Sequence, residues 1–293
     1  MRSHAFRAGG PPGRLSVFRT MVIVHLSDLH FGRLASGAVV EDLLVEVRRQ
    51  RPDLVVVSGD LTQRARPRQF RAARAFLEAL PAPTLVVPGN HDVYPWWRPL
   101  SRLARPLARY RRYITDDLRP AFVHDAVAVL GLNTAHGATV KGGRLSAEDL
   151  AYLPTFFATV PPSAVRMLVI HHHLVQLQAV GPHDVARGAR RALEAIARAG
   201  IEFILCGHLH VAHVEPVVVQ PDGHRVVIVS AGTATSSRGR GPHRNRNFYN
   251  VLRVEADAVQ VEERCYEPAR RAFVDFRQHR FEREKLPDKC WRA

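Results

Sequence analysis

Five short clusters of Asp, Asn and His punctuate this chain: Ser27-Asp28-Leu29-His30, Ser58-Gly59-Asp60, Pro88-Gly89-Asn90-His91-Asp92, His171-His172-His173 and Cys206-Gly207-His208-Leu209-His210. Taken singly, such a cluster is as readily a turn or a helix cap as a site. Five in succession have no comparable structural use, because crowded acids and imidazoles are costly to desolvate. A bound cation removes that cost. Imidazole nitrogens mixed with oxygen donors, and no thiolate at the cluster tips, suit Mn, Fe, Co or Zn rather than Cu(I) or an iron–sulfur cluster. Asp28-x-His30 and His208-x-His210 each place two side chains on one side of an extended segment, so each pair can face one centre. Glycines 59, 89 and 207 let the backbone turn sharply beside these residues.

Elements that present such clusters are legible around them. Each cluster closes a short apolar run: Val22–Leu26, Leu54–Val57, Thr84–Val87, Met167–Ile170 and Phe203–Leu205, with Ala128–Leu130 as a sixth run. These runs are rich in β-branched residues, too short for helices, and continuous rather than alternating, as in strands covered on both faces. Val40, Leu43, Leu44 and Val47 recur at helical spacing, as do Phe70, Ala73, Phe76, Leu77 and Leu80. Ser146 with Asp149 three residues later marks a helix start, and Gly200 marks the stop of a helix carrying Leu193, Ile196 and Ala197. After residue 210 the helical signal ends, and Val226–Val229, Tyr249–Leu252 and Val259–Val261 read as strands. The pattern predicts an α/β fold of two sheets packed face to face with helices outside. If the cluster-bearing strands are neighbours in one sheet, all five clusters emerge at its carboxyl edge, where open α/β architectures place their sites.

The chain has 293 residues, 46% of them hydrophobic, enough for a large core, and we read one principal domain over residues 21–266. Residues 1–20 carry four arginines, no acid and a Gly-Gly-Pro-Pro-Gly run, so they are expected to be a disordered leader, or the product of a misplaced start with Met21 as the true first residue. Residues 267–293 mix charges with Phe273, Phe276, Phe281 and Trp291, and are expected to be an ordered extension packed on the domain or on a neighbouring subunit, which leaves a homodimer open. No run reaches the roughly 18 apolar residues of a membrane span, and no signal-peptide core is present, so a cytoplasmic protein is expected. Three cysteines without a CxxC pair argue against a disulfide framework and a zinc ribbon. The 42 Lys and Arg against 27 Asp and Glu give a net charge of +15, which attracts anionic substrates without identifying one.

The order Asp-x-His, Gly-Asp, Gly-Asn-His-Asp, His, Gly-His-x-His, from about His25 to His210, resembles the calcineurin-like metallophosphoesterase superfamily. The wording HLSDLHFG at 25–32 and VSAGTATSSR at 229–238 resembles its bacterial branch related to class III cyclic-nucleotide phosphodiesterases. The resemblance implies a four-layer αββα sandwich of two mixed β-sheets with a dinuclear metal site at the strand carboxyl edge. It implies that Asp28, His30 and His210 hold one metal, that Asn90, His171 and His208 hold the other, and that Asp60 bridges both. It further implies that His91 faces the substrate and contacts a phosphoryl oxygen or protonates the leaving alkoxide, with Asp92 placed to hold its ring. His172 and His173 line or support the site. A water shared by two such cations is acidified and aimed at phosphorus.

A small phosphate ester, most readily a diester and in the narrower reading a 3′,5′-cyclic nucleotide, is the expected substrate. Two other readings compete. A nuclease or phosphomonoesterase fits the same centre, and Arg238, Arg240, Arg244 and Arg246 fit a nucleic acid, although the chain has little room for an added nucleic-acid-binding domain. A non-catalytic scaffold of the same fold should have lost one of the ligands, and none is missing here.

Overall fold

In the computed structural model, which describes residues 19–139, 142–219 and 223–283, two six-stranded mixed sheets lie face to face between helices. The first sheet contains β1 (Met21–Leu26), β2 (Leu54–Val57), β3 (Thr84–Val86), β10 (Phe248–Val254), β11 (Ala258–Glu267) and β12 (Ala272–Glu282), in the order β12-β11-β10-β1-β2-β3. Its β1, β2 and β3 are parallel, and β10 to β12 form an antiparallel meander joined to β1. The second contains β4 (Ala121–Val123), β5 (Val127–Gly131), β6 (Val165–Val169), β7 (Phe203–Cys206), β8 (His213–Val218) and β9 (Arg225–Ser230), in the order β4-β5-β6-β7-β9-β8. Here β5, β6, β7 and β9 are parallel, and the edges β4 and β8 run against them.

The helices are α1 (Gly37–Gln50), α2 (Pro67–Glu78), α3 (Pro99–Ala104), α4 (Ala108–Tyr113), α5 (Ala147–Phe157) and α6 (Ala189–Arg198). Val24 and Leu26 of β1 face Val39 and Leu43 of α1 and Phe70 of α2, whereas Ile23, with Leu54 beside it, faces Val129 and Met167 of the other sheet. A third apolar layer joins the second sheet to Leu153, Phe157 and Ile196 of α5 and α6. Strands buried on both faces must be apolar at successive positions, which accounts for the uninterrupted runs. Ser146 caps α5 by accepting from Asp149 N at 3.0 Å, and Gly200 leaves α6 at φ 63°.

The three strands absent from the sequence reading, β4, β8 and β12, are all sheet edges. An edge strand is covered on fewer sides and needs no continuous apolar run: β8 contains Pro216 and β12 alternates charges with Phe273 and Phe281. The boundary drawn at Glu267 falls on the last residue of β11, and the chain beyond it continues the same sheet. Phe273 is buried against Tyr249 and Tyr266, and Phe276 packs on Phe248. Trp291, and the leader apart from Arg19 and Thr20, lie outside the described residues. No helix among the described residues is long and apolar enough to cross a membrane.

Candidate metal centre

The five clusters do not leave one sheet: β1, β2 and β3 deliver three from the first sheet, and β6 and β7 deliver two from the second. The parallel ends of both sheets open at the same edge, and the loops cross-link there. His208 N donates to Asp28 Oδ2 at 2.9 Å, His91 N to Asp60 Oδ1 at 2.8 Å, and Gly207 N to the His171 carbonyl at 3.1 Å. Close approach depends on two glycines. A Cβ on Gly89 would stand 2.1 Å from Asp60 Oδ1, and one on Gly207 would stand 1.8 Å from Ser27 Oγ. Neither has a positive φ, so these two supply space rather than the sharp turn expected of them.

The candidate ligands gather in two nests that share Asp60. In one, His30 Nε2 lies 3.2 Å from His210 Nε2, 3.5 Å from Asp28 Oδ1 and 3.6 Å from Asp60 Oδ2, and His210 Nε2 lies 3.1 Å from Asp28 Oδ1. In the other, Asn90 Oδ1 lies 3.2 Å from His171 Nε2 and 3.1 Å from His208 Nδ1, and His171 Nε2 lies 3.4 Å from Asp60 Oδ1. The two carboxylate oxygens of Asp60 thus turn to different nests. Donors held at about 2.1 Å from one tetrahedral cation stand about 3.4 Å from each other, which is the spacing seen in both nests.

Hydrogen bonds around the rings fix which nitrogen faces inward. A carbonyl can only accept, so His210 Nδ1 donates to Arg238 O at 2.8 Å and His171 Nδ1 to Ser58 O at 2.7 Å. Each leaves its Nε2 toward a nest. Asp28 Oδ1 and Asp60 Oδ2 are buried without a hydrogen-bond donor, so in the first nest lone pairs face lone pairs. A cation resolves this arrangement and fits the residues present. Backbone strain points the same way: Asp28, His30, Asp60, His208 and His210 all have positive φ, five of the nine non-glycine residues that do so among those described.

The electrostatics prepare these groups for a cation. Burial opposes ionisation of Asp28 and Asp60, but His210 beside the first and His171 beside the second hold both carboxyls well below the usual range. Burial lowers His30 to about 4 and His208 to about 3, so both are neutral at pH 7 with a lone pair available. His171 behaves oppositely. Burial lowers it, but the Asp60 and Asp28 carboxylates and the Ser58 carbonyl together outweigh burial and raise it to about 9.

The pairing of Asp92 with His91 departs from expectation. Asp92 does not hold the His91 ring: its carboxylate accepts from Gly89 N, Leu61 N, Thr62 N and Thr62 Oγ1 at 2.9 to 3.1 Å, tying the second and third clusters together. The ring is held by Gln63, whose carbonyl accepts from His91 Nδ1 at 2.7 Å. Among the residues read as lining, His172 donates to or accepts from Thr134 Oγ1 through Nδ1 at 2.8 Å. A ring nitrogen of His172 also falls within 4.8 Å of those of His171 and His208. His173 stands behind, donating from Nε2 to Gly207 O at 3.0 Å. The 229–238 segment braces the site: Thr233 Oγ1 donates to Asp28 O at 2.7 Å and Thr235 Oγ1 to Leu29 O at 2.6 Å. Arg238 Nη1 reaches Gln63 Oε1 at 3.3 Å. Gln63 and Thr62 have no motif of their own in the sequence, and the His91 groups they bond lie about 30 residues away, beyond the reach of local spacing; Thr233 stands inside the 229–238 wording, but its bond to Asp28 spans 205 residues.

Residues 21–212 match the family model described as calcineurin-like phosphoesterase. The chain belongs to the calcineurin-like phosphoesterases. It is 30% identical over 208 residues to the glycerophosphodiester phosphodiesterase GpdQ of Enterobacter lignolyticus, covering 65% of this chain and 71% of that one. It is 28% identical to a cAMP/cGMP dual specificity phosphodiesterase of Mycobacterium tuberculosis, covering 64% of this chain and 61% of that protein. In fold it is similar to a purple acid phosphatase, PPD1, from yellow lupin seeds, with a TM-score of 0.68 at 12% identity over 91% of this chain and 54% of the lupin chain. As a calcineurin-like phosphoesterase the chain is a metal-dependent phosphoester hydrolase, and the Asp/His nests form its candidate dinuclear site.

Proposed function

We propose that this phosphoesterase hydrolyses phosphodiesters, 3′,5′-cyclic nucleotides among them, at a centre for two divalent ions. The observation that carries the reading is Asp60, whose two oxygens belong to separate nests. Asp28, His30, His210 and Asp60 would hold one ion, and Asn90, His171, His208 and Asp60 the other. Two ions so held supply an acidified water as nucleophile and positive charge for the phosphoryl oxygens. The diester preference is supported by the phosphodiesterase activities for which both bacterial relatives are named, and GpdQ brings glycerophosphodiesters into the same class.

The chain's own residues do the remaining work. Asn90, His91 and His208 are the half-buried members of the centre and form its open edge. Gln63 fixes the proton on His91 Nδ1, so the proton that His91 delivers to a leaving oxygen is carried on Nε2. The His30 ring stands edge-on to it, with centroids 4.8 Å apart, and limits its rotation. The Arg238 guanidinium, anchored on Gln63, stands where it can pair with a phosphoryl oxygen.

A metal-loaded activity panel tests the proposal. It should contain nitrophenyl mono- and diesters, 3′,5′- and 2′,3′-cyclic nucleotides, and glycerophosphodiesters. The diester should be turned over faster than the monoester with Mn. A clear monoester preference overturns the diester assignment, and 2′,3′-cyclic nucleotides cleaved without the 3′,5′ isomers overturn the narrower one.

A further inference from the structure

Six large apolar side chains stand exposed among the described residues, and four of them, Trp96, Trp97, Leu100 and Leu103, fall within one stretch of eight. Leu100 and Leu103 are 83% and 68% exposed, three apart on α3, and therefore on one face of it. The Trp96 and Trp97 rings meet edge to face, 5.7 Å between centroids. This exposure belongs to a fixed segment. Arg102 of α3 is buried, and its guanidinium donates to the carbonyls of Tyr94, Gly137 and Thr139. The polar residue anchors the helix inward while the leucines face solvent.

Beside this apolar stretch is a pocket of about 520 Å³ lined by Arg64, Arg66, Arg68, Arg71, Arg98 and Arg109 together with Trp97. No acid lines it, and none of the six arginines is paired with a carboxylate among the described residues. Arg64 lies over the Trp97 ring at 5.3 Å and Arg109 over Tyr94 at 4.6 Å. Exposed Trp and Leu beside guanidiniums that no described carboxylate neutralises match the two layers of an anionic bilayer surface, acyl boundary and headgroup. A second copy of this chain would bring the arginines against each other across a two-fold axis. Single-stranded nucleic acid would use the rings and the arginines but leave both leucines in water.

We propose that the 94–109 segment and the adjoining Arg64–Arg71 rim dock this protein onto an anionic lipid surface. The docking face adjoins the candidate centre along the chain. Arg64 follows Gln63, which holds His91, and Tyr94 is two residues from Asp92. The proposal does not depend on the substrate assigned above.

Vesicle co-sedimentation of the full chain tests it, with phosphatidylcholine alone and phosphatidylcholine mixed with phosphatidylglycerol. Binding should require the anionic lipid and shift tryptophan emission to the blue. Each cation near such a surface contributes about fivefold to partitioning, so Arg68→Glu with Arg71→Glu should weaken binding more than about 25-fold. Trp96→Ser, Leu100→Ser and Leu103→Ser together should weaken it at least about tenfold through lost apolar burial, with thermal midpoint and turnover of a soluble nitrophenyl diester unchanged. Equal binding to neutral vesicles, or unaltered binding by either variant, overturns the proposal. So does a Trp96/Leu100/Leu103 variant that loses affinity for single-stranded RNA but not for anionic vesicles.

Discussion

At His91 the structure commits one ring nitrogen, because the Gln63 carbonyl accepts from Nδ1, and in the role proposed above Nε2 is the nitrogen that meets the substrate. A proton from Nε2 matters most when the leaving oxygen is a poor one. His91→Ala should keep both metals and lose about 10²- to 10⁴-fold in turnover of an alkyl or nucleotide diester, and less with a nitrophenyl diester. Equal losses on the two substrates would reduce His91 to an electrostatic clamp. His171 makes a different prediction. Against burial, the Asp60 and Asp28 carboxylates and the Ser58 carbonyl raise it from 6.5 to about 9, so in the metal-free protein its charged form adds stability fully below about pH 6.5, and that stability is lost as pH rises through about 9. A metal must displace the same proton. Mn uptake near neutral pH should therefore release close to one proton per chain from this site, and affinity should climb toward pH 9; calorimetry in buffers of different ionisation enthalpy measures both, and proton-silent uptake would contradict it. At this scale the sequence marked Asp28, His30, Asp60, Asn90, His171, His208 and His210 by short patterns at strand ends, and the structure brings these side chains together. It was not legible for the partner of Asp92, since an Asp beside a His suggests a pair whereas the carboxylate is drawn to four donors on other loops.

The loops that carry these residues are held by elements from the far end of the chain. Thr233 and Thr235, between β9 and β10, tie down the backbone of Asp28 and Leu29, more than 200 residues earlier. Thr233→Val keeps the side-chain shape but leaves the buried Asp28 carbonyl without this donor, at a cost of about 1 to 3 kcal/mol. The thermal midpoint of the metal-free variant should fall accordingly, and metal affinity should fall with it; an unchanged midpoint would show that the brace does not bear on the site. Elements buried on both faces, β1, β2, β6 and β7, were readable because double burial forces apolar residues at every position. The edges β4, β8 and β12, and the short helices α3 and α4, were not, because partial exposure leaves their residues free to be charged or small. That all five ligand clusters come from one sheet was a natural reading of their shared position after strands. Local sequence carries no record that a second sheet supplies β6 and β7, so only the packing of the two sheets discloses it.

The whole molecule is two sheets whose parallel ends meet, and the site exists only where both contribute. Every candidate ligand and every core residue described lies at or after Met21. A chain beginning at Met21 should therefore keep its thermal midpoint, metal content and turnover, and a large loss of midpoint in that variant would show that residues before it pack on the domain. The most direct test of the account falls on the one side chain that belongs to both nests, since Asp60 offsets repulsion between two cations as well as binding each. Metal content and diester turnover should be measured together for the wild type and Asp60→Ala after identical reconstitution with Mn. We expect two ions per chain in the wild type, and in the variant a weakening of both sites by more than about 100-fold with loss of turnover. Two tightly held ions and near-normal turnover in Asp60→Ala would contradict the shared-carboxylate centre.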